Sequence, residues 1–308
     1  MNDNTEMGSK EETILGLKID VDTFRGTRIG VPALSNLLYQ KNIRASFFFS
    51  IGPDNMGRHI WRIFKPQFFK KMLRGNAAKL YGLDILFKGF LWPGPDIGIK
   101  LAKILQSTIY HNHEVALHAY DHYKWQTYIS KMDEDTIKLA LDKAVVRWEE
   151  IFGESPTAAG NPGWQLSKEW LDYVDTLNFS YRSDCRGKDF GYPEIDGKVY
   201  KTLQIPTTLP TYDEIIGCNG VTESNYNDYI ISLIEPGKLN VLTIHSEVEG
   251  IVCFDQFRRF TEKCFARNIK IFPLCDIYKR IKDTKNILNI EFKEIPGREG
   301  DLAVARKK

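Results

Sequence analysis

The chain has 308 residues, 43% hydrophobic and 27% charged, an ordinary globular composition that excludes a disordered, collagenous or coiled-coil chain. Forty-two Lys and Arg against forty Asp and Glu leave a net charge of +2, without the basic excess of a dedicated nucleic-acid binder; no nucleic-acid partner is expected. The length fits about two domains of ~150 residues, or one α/β barrel with insertions.

The opening MNDNTEMGSKEE has no basic n-region and no apolar h-region, and no run approaches ~18 apolar residues, so neither a secretory signal nor a spanning helix is expected. Cys185, Cys218, Cys253, Cys264 and Cys275 form no C-x-x-C pair and read as reduced thiols of a cytoplasmic protein.

In chain order, apolar β-rich runs fall at 13–21, 45–51, 114–118, 179–184, 203–206, 240–245 and 269–274. Helical patterns lie between them. The clearest carries Ile137, Leu141, Ala144, Val145, Trp148 and Ile151, with Asp133 placed to cap it and Gly153 and Pro156 to end it. A second follows Asp255 and puts Phe257, Phe260, Cys264 and Phe265 on one face. Repeated β-then-α order predicts parallel strands with helical crossovers, and seven or so units fit a barrel. The expected organisation is a disordered N-terminal extension at 1–12, a barrel at 13–285 and a C-terminal tail at 286–308.

The alternation breaks at 57–95, expected to be a helical insertion. From Arg58 to Trp92 the cations are Arg58, Arg62, Lys65, Lys70, Lys71, Arg74, Lys79 and Lys88, against the single acid Asp84. Trp61, Phe64, Phe68, Phe69, Tyr81, Phe87, Phe90 and Trp92 are interleaved with them. Cations and aromatics with almost no anions suit the headgroup boundary of an anionic membrane. A solvated helical excursion covering the barrel is the alternative.

The chemistry-bearing residues sit at strand ends. Side chains two apart on a strand face the same way, so Asp20 and Asp22 end the first strand on one side, ~6–7 Å apart. The C-terminal strand ends carry the active site of a barrel. His118 ends a later strand and His122 follows four residues on; a helical turn between them would put both imidazoles on one face. One Asp and two His make three ligands, with room for water and substrate. His245 ends the strand NVLTIH as a free imidazole suited to general acid work, with Glu247 and Glu249 beside it as candidates for orienting neighbours. His111 and His113 precede the His118 strand and read as surface or helix-terminal. Asp184 ends another strand. Arg182 and Arg186 around it, and Arg25 and Arg28 after the first strand, are candidates for an anionic substrate group; Trp164 is a further substrate-binding candidate. Together these describe metal-assisted hydrolysis. Asp22, His118 and His122 would hold the ion, Asp20 would take a proton from water, and His245 would protonate the leaving amine. The ligand set does not distinguish Zn, Co, Ni, Fe or Mn.

Asp20/Asp22, His118/His122 and His245 resemble the signature motifs of the NodB-type polysaccharide deacetylases, carbohydrate esterase family 4. The resemblance implies a distorted (β/α)7-type barrel, with the basic-aromatic insertion after its second strand. It implies Asp20 as base, Asp22, His118 and His122 as metal ligands, His245 as acid, and Asp184 as the residue tuning that histidine. The strings IDVDTFRGTR, ASFFFSIGPDNMGRHIWR, SDCRG, IPTTLPTYDE, VLTIHSEVEG and PGREG are similar to a narrower group. Its members remove formyl from 4-deoxy-4-formamido-L-arabinose on undecaprenyl phosphate, at the cytoplasmic face of the inner membrane, for lipid A modification and polymyxin resistance. That implies a lipid-linked amino-sugar substrate and peripheral attachment to the inner-membrane surface; no oligomeric state is implied. The chain departs from the pattern at Gln165, where the family usually has an arginine associated with the base. Its N-terminus is longer, and its end, GREGDLAVA, is less apolar. A deacetylase of another polyprenyl-linked amino sugar and an inactive sugar-binding barrel are the alternatives.

Overall fold

The computed structural model describes residues 12–58, 93–295, 298 and 300–308. The expectation of a disordered extension at 1–12 falls outside these residues except at Glu12, and that of a helical insertion at 57–95 except at 57–58 and 93–95.

Strand β1 (Ile14–Val21) is buried on both faces after its first residue, as a central parallel strand covered by helices must be. β2 (Ser46–Ser50) and β3 (Glu114–Ala119) follow it in space as in sequence. β4 (Ala158–Ala159), β5 (Tyr181–Arg182) and β9 (Leu203–Gln204) continue the sheet. β10 (Val241–His245) and β11 (Lys270–Phe272) flank β1 on its other side. All these pairings are parallel. The sheet curls shut where the Thr208 and Leu209 amides both donate to the Val241 carbonyl at 3.1 Å. The result is a distorted barrel, open in places because β4, β5 and β9 are two residues long.

The helix at Glu134–Phe152 follows its sequence pattern closely. Asp133 accepts from the Thr136 amide, Gly153 ends it at φ +77°, and Ile137, Leu141, Ala144, Trp148 and Ile151 are buried. In the helix Phe254–Ala266, Phe257, Phe260 and Cys264 are buried, but Phe265 is 53% exposed. One residue past Cys264 is ~100° further round the helix, which carries Phe265 off the apolar stripe. His111 caps the helix Ile97–Tyr110, as its position implied. His113 is not at the surface. It is 5% exposed, packs against Phe47 with ring centroids 5.1 Å apart, and accepts from the Ala45 amide.

In place of a separate C-terminal tail, β12 (Ile287–Glu294) and β13 (Asp301–Lys307) form an antiparallel hairpin. It joins a second sheet with β6 (Arg186–Gly187), β7 (Tyr192–Ile195) and β8 (Lys198–Val199), in the order β6-β13-β12-β7-β8. Leu288 and Ile290 alternate inward on β12, and Leu302, Ala303 and Ala305 of β13 are buried. Among the described residues, no helix is long and apolar enough to cross a membrane.

Candidate active site

Asp20 and His245 are register partners across the parallel β1–β10 pair, so a carboxylate and an imidazole leave the barrel side by side. Asp20 is 4% exposed, and a buried charge needs a partner. Lys18 supplies it from the same strand face. Its Nζ donates to Asp20 Oδ2 at 3.0 Å and lies 3.0 Å from Oδ1. Lys18 is fully buried, over the rings of Phe48 at 4.8 Å and Trp164 at 5.9 Å. Its signal in the sequence was a lysine two residues before Asp20, on the inward face of an apolar strand.

Asp22 stands just past β1. Its Oδ1 lies 3.3 Å from His118 Nε2 and its Oδ2 3.4 Å from His122 Nε2. The two histidines do not share a helix face. His118 is on β3, while His122 opens the helix His122–Tyr128. A turn through Asp121 folds their rings to 5.3 Å. Asp121 caps that helix on the Lys124 amide and accepts from Asn55 at 2.6 Å. The neighbouring Asp54 accepts the Phe24 amide at 2.9 Å, so the loop after β2 fixes both halves of the cluster.

The protonation states suit a cation. Burial alone would raise Asp22, but the His122, His118 and His245 rings outweigh it and hold the carboxyl well below the usual range. Burial pushes His122 down to about 4, leaving a neutral imidazole. His118 Nδ1 donates to the Gly160 carbonyl at 2.5 Å, which leaves the Nε2 lone pair facing Asp22. The three ligand atoms lie within 4.8 Å of one another, and among the described residues the buried Asp22 Oδ1 has no hydrogen-bond donor. One carboxylate and two imidazoles with open space between them fit a divalent cation.

His245 is half-buried. Burial lowers its basicity, but Asp22, Asp213, Asp20 and Glu249 together raise its pKa above the ordinary value. Asp184 does not supply this field. It is fully buried, and its partners are Arg182 at 2.9 Å, Gln204 at 2.8 Å and the Asn161 amide at 3.0 Å. Asp213, one of the carboxylates that does, lies in the YDE segment.

The expected arginines scatter. Arg182 is 1% exposed and committed to Asp184, which leaves it no face for substrate. Arg186 donates to Glu214 at 2.6 Å and to the Thr207 and Leu209 carbonyls, so its fork is spent on the protein. Arg28 is exposed beside Phe24, whereas Arg25 is half-buried three residues past Asp22. Trp164, 2% exposed, is not open to a sugar. Its indole donates to Thr207, and the Arg186 and Arg298 guanidinium carbons each lie 4.7 Å from its ring. Arg298, from the segment between β12 and β13, donates to Glu214 at 2.8 Å, Thr211 at 2.7 Å and Asp213 at 3.1 Å. Gln165 receives Trp125 Nε1 and Asn161 Nδ2 on its carbonyl; Lys18, not residue 165, holds Asp20.

No protein-family model matches the chain. The probable 4-deoxy-4-formamido-L-arabinose-phosphoundecaprenol deformylase ArnD of Shewanella sediminis is 44% identical over 300 residues, 96% of each chain. Its namesake from Wigglesworthia glossinidia brevipalpis is 40% identical over 285 residues, covering 92% of this chain and 99% of that one. The chain belongs to this deformylase family. The deformylase barrel is similar to solved polysaccharide deacetylases. One from Mycobacterium smegmatis aligns with a TM-score of 0.61 at 15% identity, over 89% of this chain and 92% of that one. A peptidoglycan N-acetylglucosamine deacetylase, Bc1960, aligns at 0.54 and 14%, over 88% and 90%. At these identities the likeness is one of fold, the barrel that the deformylase chain shares with these deacetylases.

Proposed function

We propose that this chain removes the formyl group from 4-deoxy-4-formamido-L-arabinose linked to undecaprenyl phosphate, using a divalent cation held by Asp22, His118 and His122. The observation that carries the reading is the convergence of Asp20, Asp22, His118, His122 and His245 in a family member 44% identical to a named deformylase. The product would serve amino-sugar modification of lipid A and so polymyxin resistance. A lipid-linked substrate calls for peripheral attachment on the cytoplasmic face of the inner membrane, a reading that the basic-aromatic composition of 57–95 supports.

When bound, the cation supplies Lewis acidity toward the formamide carbonyl and the attacking water. The protein's groups do the rest. Asp20, held by Lys18, accepts the water's proton. Across the register pair, His245 donates a proton to the departing sugar nitrogen, without which an amide does not break near neutral pH. The surrounding carboxylates keep that proton on His245 to higher pH than an isolated imidazole would. Of the four arginines considered for the phosphate, Arg25, half-buried three residues past Asp22, is the one assigned to it.

The test is mass spectrometry on two synthetic polyprenyl-phosphate sugars, a 4-formamido-arabinose and an N-acetylhexosamine. Loss of formyl from the first alone is expected. Loss of acetyl alone would contradict the substrate and keep the chemistry; loss from neither by metal-loaded protein would contradict both.

A further inference from the structure

The two carboxylates that follow His245 are assigned different tasks by their geometry. Glu249 Oε2 accepts the amide of His245 itself, at 2.9 Å. Glu247 reaches across to the loop after β1. Its Oε1 accepts the Asp22 amide at 3.0 Å, the Thr23 amide at 2.8 Å and the Thr23 hydroxyl at 2.8 Å. Ser246 Oγ donates to Oε2 at 3.2 Å. Glu247 is 1% exposed, so these donors are its solvation.

The backbone is shaped around this contact. Two π-helical turns, Gly26–Gly30 and Val248–Val252, pack against each other. Such turns are rare and recur at functional sites. A Cβ added at Gly26 would lie 2.0 Å from Glu247 Oε1, and one at Gly30 would lie 2.0 Å from the Ser246 carbonyl. The turns meet that closely because glycine lets them. Beyond the strand ends, the Ser246 amide also donates to the Asp20 carbonyl at 2.9 Å.

We propose that Glu247 is a positioning residue that fixes Asp22 against His118 and His122 by holding the backbone of residues 22 and 23. The inference rests on the reading of those three residues as cation ligands. A carboxylate oxygen accepts several donors at once, and its charge strengthens each bond. A glutamine retains the accepting oxygen, with its amide turned toward Ser246 Oγ; an alanine leaves four donors unmet. Outer partners of this kind tune cation affinity by about 10–100-fold.

The experiment is calorimetric titration of cobalt(II) into the full-length, chelator-stripped chain, with circular dichroism to report folding. Glu247→Ala is expected to weaken binding about tenfold or more, and Glu247→Gln to stay within about threefold of the parent. Thr23→Val, which deletes one donor and keeps the carboxylate, is expected to weaken binding about threefold, and it decides the matter if E247A fails to fold. Parent affinity in folded E247A or in T23V overturns the proposal, as does equal loss in E247A and E247Q. Asp22→Ala separates the two readings: parent affinity in D22A overturns the ligand assignment itself, and Glu247's role with it.

Discussion

Lys18 and Asp20 show what one strand face can hold. Both are buried, and each is tolerable only because of the other. Removing one partner of such a pair costs about 3–5 kcal/mol. Lys18→Met is therefore expected to lower stability by about that much and to cut turnover about 100-fold or more, because the base loses its anchor. Chemical denaturation and formate release measure the two effects; a stable, active K18M would show that Asp20 needs no such partner. Asp20→Asn and His245→Ala should each lower turnover by about 10²–10⁴ while the fold and cobalt binding persist. Wild-type rates in either variant would remove that residue from the proton transfers. The residues at this scale that were legible in the sequence were chemically distinctive groups at the ends of apolar runs. Lys18, Asp213 and Arg298 were not, because their roles depend on contacts made in the fold, and Glu247 was legible as an orienting group but not for what it holds. Glu247 meets Asp22 across 225 residues of sequence. The reverse also holds: Arg182 and Asp184 looked functional as a motif and are a buried pair with each other.

Elements whose pattern is long enough declare themselves. β1, β2, β3 and β10 are five to eight residues of nearly unbroken apolar sequence, and the helix at Glu134–Phe152 has both its periodicity and its caps. β4 is two residues of alanine, with no period to read, and β6 and β7 find their partners in the C-terminal hairpin, with β8 paired to β7. Two predictions belong here. At the closed end of the barrel, His113 ties the helix Val31–Gln40 to β2 through the Ser35 carbonyl and the Ala45 amide. Burial lowers its pKa from 6.5 to about 4, so the unfolded chain binds its proton more readily. Its contribution is intact above pH ~6.5 and is lost as pH falls toward 4, amounting to about 3 kcal/mol. His113→Leu should flatten stability against pH across that window; an unchanged slope in urea titrations would assign the slope to other groups. At the opposite end, Gly30→Ala forces a Cβ against the Ser246 carbonyl and is expected to cost about 1–3 kcal/mol, read as a lowered denaturation midpoint. An unaffected midpoint would mean that the two π-helical turns can separate freely.

The whole molecule is a barrel braced by a second sheet. The hairpin of β12 and β13 pairs with β7 and β6, and the segment between its strands carries Arg298 to Trp164, Asp213 and Glu214. The hairpin thereby reaches the Thr211–Glu214 segment. Deleting 286–308 should leave β7 and β6 without these partners, and the truncated chain should melt well below the parent; an equal melting temperature would show that the barrel stands without the hairpin. The central claim is that this architecture gathers a cation site, a base and an acid to cleave a formamide. Its most direct test is formate release from the lipid-linked formamido sugar by chelator-stripped protein, before and after addition of one divalent ion. The account predicts no release from the stripped protein and restored release on reloading. Undiminished release from protein shown to be free of metal would contradict it.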